Sequence, residues 1–134
     1  MRTILLIFFI VSIAACNTVK YSAENIWRLY ELNGDSILPG KSWDEEIVFM
    51  FEKNNRIEGF GGCNELTGSY EKGIYDIKFK VISTKRYCEG KMEIENEFIN
   101  ALNSANRYDL PYENELYLYK DSLLLAKFMG TIVK

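Results

Sequence analysis

From Ile26 onward, apolar and polar residues alternate in short runs, the period expected of half-buried β-strands. Trp27 and Leu29 alternate with Arg28 and Tyr30. Ile47, Phe49 and Phe51 form one face of a second run with Val48 and Met50 opposite, which predicts a strand covered on both sides. Tyr75, Ile77, Phe79 and Val81 alternate with Asp76, Lys78 and Lys80, which predicts a strand with one wet face. Leu116 and Leu118 alternate with Tyr117 and Tyr119; Ser122 to Met129 follows as a more continuous apolar strand, with Lys120-Asp121 as a tight turn between them. The period changes once. In Lys91 to Ala105, Ile94, Phe98, Ala101, Leu102 and Ala105 recur at three- and four-residue spacing, which predicts an amphipathic helix. Gly90 precedes it, and acidic residues crowd its first half, where the helix dipole favours them. Glu93, Glu95 and Glu97 therefore read as a solvated helix face and not as a metal site. With no repeat, low-complexity tract or internal linker, the pattern predicts one α+β domain: antiparallel strands with one helix covering an apolar face.

The pattern before Ile26 is different in kind. Arg2 supplies a positive charge, Ile4 through Val11 is uninterrupted and apolar, Ser12 is the first polar break, and Ile13-Ala14-Ala15-Cys16 closes the run. This reads as a bacterial lipoprotein signal. The run is too short for a transmembrane helix, which needs about 20 apolar residues. Small residues before the cysteine admit the extended backbone to a signal peptidase cleft, and the thiol can carry a diacylglyceryl group. Residues 1–15 are therefore expected to be a signal peptide and Cys16 the lipidated first residue of the mature chain. The polar, aperiodic residues 16–24 read as a tether, and 25–134 as the domain. An ordinary signal cut after Ala15 is the plainer alternative.

Composition adds exclusions. Removal of residues 1–15 leaves 134 − 15 = 119 residues with a formal charge of 15 − 19 = −4, and the chain has no histidine. A mildly acidic surface offers no footprint for nucleic acid and no polybasic patch for anionic lipid. Membrane attachment would rest on acyl chains, each buried methylene contributing about 0.8 kcal/mol. With Cys16 taken by lipid, Cys63 and Cys88 remain as an even pair in an oxidising compartment. If bridged, they close a loop of about 25 residues, worth about 3.5 kcal/mol in the chain-entropy model. A structural disulfide is the favoured reading. Two free buried cysteines and a redox pair are the alternatives, and the spacing is not the C-x-x-C of a thiol oxidoreductase.

The densest local signature runs from Gly59 to Tyr70, with Gly59, Gly61, Gly62 and Gly68 around Cys63-Asn64. Four glycines permit positive φ and close chain approach, so a sharp turn or bulge is expected, after which Tyr70 restarts a strand. A phosphate-binding loop fits poorly, because no Gly-Lys-Ser/Thr follows. These residues resemble the META domain family, that of the HslJ-like bacterial lipoproteins. Trp27 and Leu29 match its opening Trp-x-Leu strand. Gly59, Gly62, Cys63, Asn64, Gly68 and Tyr70 match its Gly-x-x-Gly-Cys-Asn-x-x-x-Gly-x-Tyr core. Thr84 and Cys88 match its Thr-x-Met-Ala-Cys segment, although Arg86 and Tyr87 stand where Met and Ala are usual. Leu116 and Leu118 match a late Leu-x-Leu strand. The resemblance implies a curved antiparallel sheet or partly open β-barrel packed with one main α-helix, in an envelope or secreted protein associated with stress tolerance, secretion or virulence. The fold also looks like that of pilotin lipoproteins, which bind a secretin peptide and can hold an acyl chain.

Function is weighed on what remains. Without histidine there is no Ser-His-Asp or Cys-His arrangement and no His-x-x-x-His zinc motif. Asp44-Glu45-Glu46 reads as a solvated charge run, and Lys85-Arg86 could lower the Cys88 thiol pKa only if that thiol were free. No catalytic residue, metal ligand or cofactor is therefore expected. After Phe8 and Phe9 leave with the signal, 17 − 2 = 15 Tyr and Phe remain. Tyr108, Tyr112, Tyr117 and Tyr119 form the candidate contact surface, against the plainer reading that alternating Tyr covers a wet sheet face. The expectation is a monomeric, non-enzymatic lipoprotein with a stress-linked structural or protein-interaction role and a possible envelope protein partner. Asn17 after Cys16 favours the outer membrane, facing the periplasm. The alternative is a carrier or sensor of a small hydrophobic ligand, such as an acyl chain, held between Ile94, Phe98, Leu102 and the sheet unless Phe98 plugs the space.

Overall fold

The computed structural model describes residues 25–132. The expected signal peptide, the lipidation of Cys16 and the tether fall outside the described residues. Strands β1 (Asn25–Leu32), β2 (Asp35–Ser36), β3 (Ile47–Glu52), β4 (Arg56–Gly61), β5 (Glu65–Lys72) and β6 (Ile77–Ser83) precede the helix α1 (Met92–Ser104). Strands β7 (Arg107–Tyr112), β8 (Glu115–Lys120) and β9 (Leu123–Ile132) follow it.

All pairings are antiparallel, in the order β6-β5-β4-β3-β1-β9-β8-β7, with β2 paired to β1. The sheet curls until its two edges meet. Asp76 bridges Arg107, the Tyr108 N–H donates to the Tyr75 carbonyl at 3.0 Å, and the Ile77 N–H donates to the Asn106 carbonyl at 3.3 Å. Beyond that short seam α1 takes over the β6 edge. The Asn103 side chain accepts from the Val81 N–H at 2.8 Å and donates to the Val81 carbonyl at 3.0 Å, as a paired strand would. This covers backbone groups that an open edge would leave for another chain. The architecture is α+β, a partly open barrel with one helix.

Glycines on the concave face allow the curl. A Cβ on Gly68 would lie 2.0 Å from the Lys80 carbonyl oxygen, and one on Gly59 would lie 2.4 Å from that of Val48. Only a residue without a side chain lets strands coil this closely. The interior holds Trp27, Leu29, Phe49, Ile57, Phe79, Leu118 and Phe128 from the sheet, with Phe98, Ala101 and Leu102 from α1. Phe49 stands edge-to-face on Phe128, ring centroids 4.9 Å apart, and Phe98 lies 6.1 Å from Phe128. Such pairs contribute about 0.5–1.5 kcal/mol beyond their burial.

Most expected elements are present, with four local corrections. Tyr75 is 71% exposed and lies in the turn before β6, because its carbonyl is spent on the seam to β7. Tyr70 does not restart a strand; β5 begins at Glu65 and Tyr70 packs inward on Phe51. The β8–β9 turn is Asp121-Ser122, one residue later than expected, with Asp121 at φ 54° and its N–H held by the Asn106 side chain. The fourth concerns Glu95, which is 1% exposed on the buried side of α1, whereas Glu93 and Glu97 are in solvent.

Candidate functional site

The Gly59–Tyr70 signature forms the end of β4, a turn and most of β5. Gly62 takes φ +99°, which lets the chain reverse between the strands. The turn presents the N–H groups of Cys63 and Asn64 toward the barrel, and Glu95 of α1 reaches in to receive them. Its Oε2 accepts from the Cys63 N–H at 3.0 Å and the Asn64 N–H at 2.6 Å, and its Oε1 accepts from Asn64 Nδ2 at 2.6 Å. Gly61 makes room, since a Cβ there would stand 2.7 Å from Glu95 Cγ and 2.8 Å from Oε2.

Asn64, 2% exposed, relays this grip to the segment after β6. Its Oδ1 accepts from Thr84 Oγ1 at 2.9 Å and the Arg86 N–H at 2.7 Å, while Nδ2 also donates to the Arg86 carbonyl at 3.0 Å. The Cys63–Cys88 disulfide closes the arrangement, with Cα atoms 5.9 Å apart. Every polar atom of a buried side chain here has a partner, as burial requires. The result is a lock: residues 84–88 are fastened to the β4–β5 turn, and the turn is fastened to the helix.

The positions carrying the family resemblance thus meet in space. Gly62, Cys63, Asn64, Thr84 and Cys88 build the lock, Gly59 and Gly68 allow the curl, and Tyr70 fills the interior. Trp27 and Leu29 are buried on β1, with the Trp27 ring lying over Gly130. The substitutions at Arg86 and Tyr87 are accommodated, because Arg86 contributes its backbone N–H and C=O to Asn64 and Tyr87 is 77% exposed. The bridge removes Cys88 as a thiol nucleophile. Sequence reasoning missed Glu95. The available signal was its helical register, since it falls one position after Ile94 and three before Phe98 on the covered face.

Beside the lock lies a crevice of about 580 Å³ on the convex face of the sheet. Val48, Met50, Phe60 and Ile82 give it an apolar floor, with Glu58, Glu65 and Thr84 at its margins. Ile82 is 69% exposed, and Thr84 belongs to both lock and crevice. The four late tyrosines do not form one surface. Tyr108 packs against the core, its hydroxyl donating to the Gly73 carbonyl at 3.0 Å, and Tyr112 is 65% exposed at the end of β7. Tyr119 lies under the Arg107 guanidinium, 4.5 Å from the ring centroid. Tyr117 donates to Glu115 Oε2 at 2.6 Å, and the Tyr30 hydroxyl lies 3.0 Å from the same oxygen. Burial and then the hydrogen bonds to Tyr117 and Glu115 push the Tyr30 phenol far above its ordinary pKa. The Glu115 hydrogen bond raises Tyr117 as well. Lys127, 2.9 Å from Glu31, is raised by that hydrogen bond. The bulge at Tyr30 lets Tyr30 and Glu31 both point outward into this cluster. Asp44 and Glu45 are exposed, and no cluster of three or more His, Cys, Asp or Glu able to hold a metal occurs among the described residues.

An antiparallel, nearly closed barrel with one helix on the seam and a disulfide-tied Gly-Cys-Asn turn defines the class. The META domain profile matches residues 16–129, and the chain belongs to the META domain family. No curated protein matches it. Among solved structures, it resembles a protein from Burkholderia xenovorans with a TM-score of 0.62 at 22% identity, covering 81% of this chain and 82% of that one. It also resembles a DUF4847 family protein from Bacteroides vulgatus with a TM-score of 0.61 at 17% identity, covering 84% and 96%. At these identities the likeness is one of fold.

Proposed function

We propose that this META domain protein is exported, lipidated on Cys16 and anchored in the cell envelope, at the outer membrane facing the periplasm. There it serves as a non-enzymatic, stress-linked protein-interaction module. One observation carries the interaction reading. The motif side chains of the lock are spent inward on holding residues 84–88, and Thr84, the first residue they hold, lines an open crevice floored by Val48, Met50, Phe60 and Ile82. A margin fixed in advance lowers the ordering cost of binding. Export is supported by the lipoprotein-like residues up to Cys16 and by a structural disulfide, a bond characteristic of oxidising compartments. The carrier reading draws less support, because Phe98, the side chain on which it turned, is fully buried against Phe128 inside the barrel.

The test is a photo-crosslinking amino acid placed at Met50 or Ile82 in the full chain, expressed in its own envelope. One discrete protein adduct from both crevice positions and none from Leu38, 83% exposed elsewhere, is the expected result. Adducts of equal pattern from all three positions, or none from the crevice, would sink the interaction reading.

A further inference from the structure

The strand order places the chain's entry and three turns at one end of the barrel. Because neighbours alternate in direction, the start of β1 at Asn25 shares its end with the turns after β3, β5 and β7. These are residues 53–55, 73–76 and 113–114. The lock, the turn after β8 and most of the crevice lie toward the other end.

The turn after β5 exposes two large apolar side chains side by side. Ile74 is 80% and Tyr75 71% exposed, although both are large and apolar. They are held there by hydrogen bonds to the turn's own carbonyls: the Gly73 N–H donates to the Asp76 carbonyl at 2.9 Å, the Tyr108 N–H to the Tyr75 carbonyl at 3.0 Å, and the Tyr108 hydroxyl to the Gly73 carbonyl at 3.0 Å. At the same end of the barrel Tyr112 is 65% exposed at the close of β7.

We infer that this end rests on a bilayer surface, with Ile74 and Tyr75 entering the interfacial zone; the inference depends on the proposed lipidation of Cys16. The tether length supports it. Nine residue steps (25 − 16 = 9) separate Cys16 from Asn25, a reach of at most about 30 Å when fully extended. β1 alone, at eight residues, spans roughly 26 Å. Bringing the opposite end to the membrane would need the tether stretched along the whole domain, whereas the Asn25 end needs no extension. Tyrosine rings favour the headgroup level, where the ring is apolar and the hydroxyl wet. The charges at the three turns and their flanks nearly balance, with Lys53, Arg56 and Lys72 against Glu52, Asp76, Glu113 and Glu115, so nothing there selects an anionic surface and the bilayer in question is zwitterionic. In this pose most of the crevice, on the side of the barrel and toward its other end, stays clear of the bilayer and open to a protein.

The test uses the full chain, processed and extracted from a bacterial membrane, in phosphatidylethanolamine vesicles whose acyl chains are brominated near the headgroup. Tyr75→Trp reports this end and Leu123→Trp the other, each read as the difference from the parent protein's emission. Intact mass establishes the lipid on Cys16 in the same sample. On lipidated protein, the Tyr75→Trp emission is expected to lose roughly half its intensity and the Leu123→Trp emission none. Equal quenching, or no quenching of Tyr75→Trp on lipidated protein, overturns the docking and leaves the anchor standing. A mass without lipid overturns the anchor, and the docking with it.

Discussion

Replacing Glu95 by glutamine tests the buried lock most sharply. The substitution keeps shape and removes one acceptor. The new amide oxygen can still take the Cys63 and Asn64 N–H groups, but its NH₂ then faces Asn64 Nδ2, which the carboxylate met at 2.6 Å. Asn64 cannot flip to help, because its Oδ1 is committed to Thr84 Oγ1 and the Arg86 N–H. One charge-assisted hydrogen bond is lost and two donors oppose each other in a site 1% exposed. A hydrogen bond to a charged group contributes about 1.5–3 kcal/mol, and an orphaned buried donor costs about 1–3 kcal/mol, so a loss of about 3 kcal/mol is expected. In urea, with a slope of about 1.5 kcal/mol/M for a domain of this size, the midpoint falls by roughly 2 M. Glu93→Gln and Glu97→Gln, on the wet face of the same helix, are expected to stay within about 0.5 kcal/mol of the parent. The assay is urea unfolding followed by far-UV circular dichroism on all three variants. A loss below about 0.5 kcal/mol for Glu95→Gln would refute the buried acceptor and return Glu95 to the solvated face.

Three further outcomes are expected. Cys63→Ala and Cys88→Ala should each cost about 3.5 kcal/mol with the double variant adding little, since either one opens the same loop; additive losses in urea would show the thiols acting separately. Gly61→Ala drives a Cβ into Glu95 at 2.7 Å and should destabilise strongly, but much less when Glu95 is already alanine; equal losses in both backgrounds would show no clash. Tyr30 is held neutral and Lys127 charged above their ordinary pKa values, so both contributions are present at neutral pH and are lost as pH rises through and beyond about 10. The urea midpoint should therefore drop above that pH, and less steeply in Tyr30→Phe; an unchanged slope would place the alkaline sensitivity elsewhere.

The lock shows what local reading captures and what it leaves out. Cys63, Asn64, Thr84 and Cys88 are recognisable along the chain because they match the motif positions of the META domain family. The role of each is not recognisable there, because every partner comes from 20 or more residues away. Glu95 was assigned to solvent by its acidic neighbours, yet the carboxylate is the acceptor that two backbone N–H groups require once the turn is buried. Arg86 departs from the family pattern harmlessly, since only its backbone is used.

Alternation in β1, β6 and β8 and the three-to-four spacing in α1 set element type and, Glu95 apart, the inward face directly, because burial of one face is a per-residue constraint with a period. The even pair Cys63 and Cys88 likewise left few arrangements open. The curl of the sheet, the seam between Tyr75 and Tyr108, and the β6 edge covered by Asn103 follow from where strand ends meet after closure. Glu95 is inside for the same reason. A buried hydrogen bond is decided by two distant groups arriving together, and neither one announces the other along the chain.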